Sequence, residues 1–318
     1  MISTRAIIET DRYRDGSVAP YSLYLEARQP DADALALDML EPPPDPSSVP
    51  IAHDEVMAIL AAGIAANEPV ELDFEPLSYG EDLVATRPFL PDGEATYRLG
   101  ESPTVLTERG SRTYLIWLDK PGTVEIAVTG GLIAHYRDRG NVRVELYSPQ
   151  NELGTAVASN VDTPPDGEEH IITLTTPHDG LHQLIIQDGH DKTRVALPTG
   201  MPVSAASGLD DAPSGFMGGR SIAYFYVPKG TRTVGGFTRH LDGHVVAGDG
   251  MRLYSFADMG KPGFFSIPVP AGQDGAHWQF ESCSGYRHLM TVPPYLAKSP
   301  AALLLPREVA EKDLPAQP

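Results

Sequence analysis

Over most of the chain, apolar and polar residues alternate in short runs cut at close intervals by Gly, Pro, Asp or Asn, the pattern of half-buried β-strands joined by turns. A first series of such runs covers residues 112–118, 123–128, 142–147, 170–174 and 181–186, preceded by a short apolar stretch at 72–74. A second covers 221–227, 231–237, 251–256, 264–269, 276–281 and 288–292. Strands so spaced predict antiparallel sandwiches or barrels. Between the two series, Pro198, Gly200, Pro202, Gly208, Pro213 and Gly215 stand among small polar residues over 195–216, the composition of an exposed linker.

Helical spacing is confined to the first third of the chain. Val56, Leu60 and Ile64 share one face of a helix expected over 51–66, with Ser47 or Ser48 placed to cap it, Asp54 and Glu55 near its positive end, and Asn67 and Pro69 closing it. Its many alanines suit close packing on a sheet. A shorter helix is expected around Leu35 and Met39, ended by Pro42, Pro43 and Pro44, while Tyr21, Leu23 and Leu25 alternate as in a strand. The predicted fold class is mainly β: two tandem antiparallel β-sandwich (jelly-roll-like) domains with a short N-terminal segment containing one or two helices. The boundaries read as an acidic segment at 1–87 whose helix docks on the first sandwich, a first sandwich at 88–200, a linker at 201–216, a second sandwich at 217–308 and a surface tail at 309–318.

Two landmarks recur in the same order. Arg112 to Lys120 and Ser221 to Lys229 are both apolar strands with an aromatic, Trp117 or Tyr226, three residues before a Lys-led turn. Each is followed by Asp-Gly-x-His, at 179–182 and at 274–277. An internal repeat is one reading and chance likeness of β-strands the other; under the first, His182 and His277 are architectural.

Composition and charge narrow the function classes. Gly and Pro stand at 30 each in 318 residues, which favours short strands over long helices. The formal net charge of −19 argues against a nucleic-acid backbone or an anionic membrane as partner, since both call for clustered Lys and Arg. The imbalance is steepest in residues 1–90, which hold 17 acids against 5 Arg and no Lys. The single cysteine, Cys283, forms no internal disulfide and reads as a small buried hydrophobe. With no signal-peptide pattern at the start and no apolar run of spanning length, the chain reads as soluble, its compartment left open.

Candidate chemistry falls in three places. The stretch 130–140 carries His135, Tyr136, Arg137 and Asp138 between glycines, a loop able to bond sugar hydroxyls or a carboxylate, or else a hairpin whose Arg and Asp pair with each other. Tyr224 and Tyr226 share one strand face, suited either to a core or to stacking on a sugar ring. Tyr286, Arg287 and His288 form the third cluster. His240 and His244 flank Asp242-Gly243, which signals a hairpin rather than a metal site. No nucleophile elbow, phosphate loop or zinc motif is present, no cofactor is expected and no calcium site is specified.

In the last third, 224–230 (Tyr-Phe-Tyr-Val-Pro-Lys-Gly), 269–275 (Val-Pro-Ala-Gly-Gln-Asp-Gly) with Trp278, and 292–297 (Val-Pro-Pro-Tyr-Leu-Ala) resemble the C-terminal β-sandwich modules of large bacterial polysaccharide-processing proteins. The likeness covers roughly residues 215–308 and contains no catalytic motif. It implies a glycan or oligosaccharide partner, or an accessory role beside a catalytic domain or partner protein. The alternatives are a glycoside hydrolase or polysaccharide lyase with a site between the sandwiches, where residues 135–138 would meet the second domain, and a structural subunit of a complex.

Overall fold

The computed structural model describes residues 3–9, 22–28, 72–91, 95–207, 221–285 and 287–314, and the chain divides into two compact units. The first, Met1–Glu71 with Leu209–Ala212, contributes two described strands, β1 (Ser3–Glu9) and β2 (Ser22–Arg28), paired antiparallel with Ser3 opposite Arg28. The alternation around Leu23 and Leu25 falls on β2. Both expected helices lie outside the described residues.

The second unit, Leu72–Gly208 with Pro213–Pro318, contains both strand series. It opens with β3 (Leu83–Ala85), β4 (Thr96–Tyr97) and β5 (Thr104–Glu108). Next come β6 (Ser111–Leu118), β7 (Gly122–Thr129), β8 (Val142–Tyr147), β9 (Ala158–Thr163), β10 (His170–Thr176), β11 (Gly180–Gln187), β12 (Thr193–Leu197) and β13 (Val203–Ala206). The second series is β14 (Ser221–Val227), β15 (Thr233–Thr238), β16 (His244–Val246), β17 (Arg252–Ser255), β18 (Gly263–Pro268), β19 (Ala276–Cys283), β20 (Arg287–Leu289) and β21 (Tyr295–Leu296). β22 (Leu304–Pro306) and helix α1 (Arg307–Asp313) close the chain.

The two series build the same sheets in the same order. In the first, β6-β11-β8-β9 faces β10-β7-β12; in the second, β14-β19-β16-β17 faces β18-β15-β20. β13 borders β6 as β21 borders β14, the latter through a bridge in which Tyr224 donates to Ala297 O at 2.8 Å and Ala297 to Tyr224 O at 3.0 Å. Because β13 and β21 also pair with each other, the sheet from β9 to β21 meets the sheet from β14 to β17 at the single Tyr224–Ala297 bridge. Core side chains come from alternate positions: Tyr114, Ile116 and Leu118 of β6, and Ala223, Phe225 and Val227 of β14.

The repeat therefore holds at the level of topology, but one landmark is misaligned within it. His182 stands opposite Ile116 on the core face, whereas His277 stands opposite Tyr226 on the outer face. A slip of one residue reverses the face. His182 corresponds in position to Trp278, and His277 to Leu181.

Three further findings depart from the sequence reading. The expected exposed linker contains β13, with Met201, Val203 and Ser204 fully buried, because small residues let a strand fit between two others. The expected surface tail at 309–318 holds most of α1, whose Val309 joins Leu303 and, from β22, Leu304 and Leu305 in one buried cluster with Tyr226 and Tyr295, against which Leu115, Trp117 and Leu181 are packed. Asp242-Gly243 does not close a hairpin but crosses from the β15 sheet to the β16 sheet. Ahead of β3, residues 72–82 run over the second repeat, with Leu77 N donating to Met290 O at 2.7 Å and the Phe74 ring seated on Gly235.

Candidate functional site

The loop between β7 and β8 crosses from one sheet of the first sandwich to the other, and glycine shapes its entry. Gly131 has φ of 74°, and a Cβ there would lie 2.0 Å from Pro165 O, so no side chain fits. The chain then winds into a 3₁₀ turn over Ala134–Arg139, pinned where Tyr136 N donates to Ile133 O at 2.8 Å and Ile133 N to Asp191 Oδ1 at 2.8 Å. Of the two readings of this stretch, a loop or a hairpin, the structure has a loop containing a 3₁₀ turn. Its arginines meet carbonyls and an aromatic ring rather than Asp138.

His135, Arg137, Asp138 and Arg139 are exposed and Tyr136 is half-buried. The Arg139 guanidinium lies over the Tyr136 ring at 3.6 Å, Arg109 approaches the same ring at 5.7 Å, and the His135 ring stands 5.3 Å from it. Arg137 Nε donates to Gly131 O at 2.9 Å. Arg109 and Arg139 each donate to the single carbonyl of His190, both at 3.4 Å. His190 sits in the β11–β12 loop at φ of 68°, a left-handed conformation that costs a non-glycine residue energy.

Beneath this surface lie three buried carboxylates. Asp188 Oδ1 accepts from Gly110 N at 2.6 Å and His190 N at 3.0 Å, and Asp191 Oδ1 accepts from Ile133 N and, at 2.6 Å, from Lys192 N. Glu108 accepts from the Tyr114 hydroxyl and lies 3.7 Å from Arg112 Nε. Burial pushes the Asp188 carboxyl up to about 6 against the hydrogen bonds it accepts, and the Glu108 carboxyl up to about 7 against Tyr114 and Arg112. The two aspartates tie the β11–β12 loop to the β5–β6 turn and to the β7–β8 loop. Arg109, His190 and the two aspartates escape a linear reading, because they come from the β5–β6 turn and the β11–β12 loop; the visible signal was the Asp-Gly-His-Asp run at 188–191.

The other candidate side chains serve the fold. Tyr224 is half-buried, and its backbone carries the bridge to Ala297. Tyr226 is 1% exposed, packs against the His277 ring at 5.2 Å, and has its hydroxyl raised by burial and by Asp313, to which it is hydrogen-bonded. Tyr226 is thus covered by the C-terminal segment instead of open to a ligand. Arg287 is 2% exposed, with its guanidinium over Phe256 at 4.4 Å and donating to Ser284 O at 2.8 Å and Asp242 Oδ1 at 2.9 Å. His288 is buried and its Nδ1 donates to Ser207 O at 2.8 Å. Tyr286 lies outside the described residues.

His182 and Cys283 follow suit. His182 Nδ1 donates to Gly180 O at 3.0 Å and Nε2 accepts from Thr176 Oγ1 at 3.0 Å, an arrangement that needs the neutral ring that burial favours. Burial pushes the Cys283 thiol up to about 11, so at neutral pH it is a protonated core residue and no nucleophile. Among the described residues, no group of three or more His, Cys, Asp or Glu is arranged to hold a metal ion.

Topology separates the first and third clusters. β6 runs antiparallel to β13, β13 to β21 and β21 to β14, so β6 and β14 point in opposite directions. Each next strand, β7 or β15, returns antiparallel in the facing sheet, so the loop after β7 and the equivalent loop after β15 leave from opposite ends of the strands. His135 to Asp138 do not face Arg287 and His288 across a cleft.

No known family model matches the chain, and no curated protein matches it. Among solved structures, the tandem CBM51 modules of Sp3GH98, the family 98 glycoside hydrolase from Streptococcus pneumoniae SP3-BS71, align with 62% of this chain and 81% of their own at 12% identity, with a TM-score of 0.17. A superposition this loose carries no weight for ligand or mechanism.

Proposed function

We propose that the chain is a glycan-binding β-sandwich protein whose ligand is held at the loop end of the first repeat, by Tyr136 with His135, Arg137, Asp138, Arg109 and Arg139. The observation that carries this reading is the half-buried Tyr136 ring, with the Arg139 guanidinium at 3.6 Å and that of Arg109 at 5.7 Å, on a loop pinned to buried Asp191. An aromatic ring gives a sugar an apolar face, and the surrounding guanidinium, imidazole and carboxylate groups supply donors and acceptors for hydroxyls. A rigid sheet edge beneath the loop lowers the ordering cost of binding.

A glycan array with the native protein and Tyr136→Ala tests the reading. Native protein is expected to retain at least one class of glycan, and the variant to bind it at least about tenfold more weakly, the loss of one stacking contact and its cation–π support. Retention unchanged by the substitution, or no glycan retained at all, rejects the site. Release of new reducing ends or of unsaturated sugars by the native protein points instead to a hydrolase or a lyase.

A further inference from the structure

The geometry points to an anionic glycan, one bearing carboxylate or sulfate groups, as the ligand of this loop end; the inference rests on the glycan-binding reading and names its chemical class. In a chain with a formal net charge of −19, cationic groups have been gathered here from three separate segments. Arg109 comes from the β5–β6 turn, Arg137 and Arg139 from the β7–β8 loop, and Lys192 from the loop ahead of β12, all four exposed. The two buried aspartates beneath them form no ion pair with them. Asp188 and Asp191, 2% and 1% exposed, spend their described hydrogen bonds on backbone amides of Gly110, His190, Ile133 and Lys192. Arg109, Arg137 and Arg139 contact carbonyl oxygens and the Tyr136 ring, and no ion pair joins any of them to a carboxylate among the described residues.

Two guanidiniums donating to one carbonyl repel each other, and the carbonyl they share belongs to His190, whose backbone is left-handed. A neutral sugar takes only ordinary hydrogen bonds from such convergence and leaves the two charges unopposed. A carboxylate or sulfate lying between the two forks would take charge-assisted hydrogen bonds from both, and planar guanidiniums match its oxygens in a way that lysine does not. The Tyr136 ring would meanwhile cover an apolar face of the sugar that carries the anion. The acidity of the rest of the molecule repels polyanions in general, which makes retention at this end a matter of local geometry.

Affinity electrophoresis in polygalacturonate, in a sulfated galactan and in neutral galactan tests the inference, using native protein, the double variant R109Q/R139Q, Tyr136→Ala, and Arg252→Gln in the second repeat as a control. The expected result is retardation by polygalacturonate or the sulfated galactan at least about tenfold stronger than by neutral galactan, falling as salt rises. The double variant should lose that difference with its melting temperature unchanged, and Arg252→Gln should keep it. If the three polymers retard the native protein equally and only Tyr136→Ala weakens binding, the anionic class is wrong while glycan binding stands. If no polymer is bound, both are wrong. Equal retardation by a single-stranded oligonucleotide would overturn the assignment to glycans in favour of polyanions as such.

Discussion

At the scale of single residues, the buried acids under the loop end tie stability to pH. Glu108, 1% exposed, has its carboxyl raised from 4.5 to about 7, and Asp188 rises in the same direction. In the interval from 4.5 to about 7 the folded chain keeps a proton on Glu108 that the unfolded chain releases. Stability therefore falls as pH rises through this window, by on the order of 3 kcal/mol for Glu108 if the whole difference is expressed. Glu108→Gln retains an acceptor for the Tyr114 hydroxyl without the charge. Thermal melts at pH 5 and pH 8 should show the native protein losing more stability than the variant between the two. Equal losses would mean that Glu108 is solvated or charged in the fold and that its burial has no energetic consequence.

At the scale of elements, the most exacting contact is in β15, where Gly236 pairs with Phe265 on one side and Leu289 on the other. A Cβ on Gly236 would lie 2.1 Å from His288 O, a backbone atom that cannot turn aside, and 2.5 Å from the Phe265 ring. Gly236→Ala should cost about 3 kcal/mol or more, read from the urea midpoint, whereas alanine at Gly250, a left-handed turn glycine with open space around it, meets only the backbone penalty. A loss at Gly236 no larger than at Gly250 would show that β15 and β20 part easily.

The same elements show what the sequence could reveal. Strands with strong alternation, such as β6, β8, β14 and β19, were legible nearly to their ends because each buries one face of large apolar residues. β13, with the sequence VSAA, and β22, with LLP, were not, since a strand enclosed on both faces needs no alternation and small residues look like loop. The candidate site was half legible for a different reason. The stretch 134–139 is contiguous and stood out, but Arg109, Asp188 and His190 join it only through the sheet order, and no periodicity carries that information. Tyr226 misled because strand alternation assigns a face without saying what covers it.

At the scale of the molecule, the two repeats act as halves of one body. The sheet of the first repeat continues through β13 and β21 to the bridge at Tyr224, and Leu303, Leu304 and Leu305 share one buried cluster with Tyr226 and Tyr295 of the second repeat, against which Trp117 and Leu181 of the first are packed. Separating the repeats would expose this apolar seam together with the unpaired edges of β13 and β21, so neither half should persist when the other unfolds. The two tryptophans provide the measurement: Trp117 lies in β6 of the first repeat and Trp278 in β19 of the second. In Trp117→Phe only the second repeat is reported by fluorescence, and in Trp278→Phe only the first, while far-ultraviolet circular dichroism reports both. Within each variant the two signals should give one urea midpoint, even though Trp278→Phe, a substitution in a fully buried position, lowers that midpoint by the larger amount. Adding Ala297→Pro removes the N–H that bonds Tyr224 O and should pull the fluorescence and dichroism midpoints apart. Midpoints that already differ without that substitution would mean that each sandwich folds on its own and that the seam between them is only an interface.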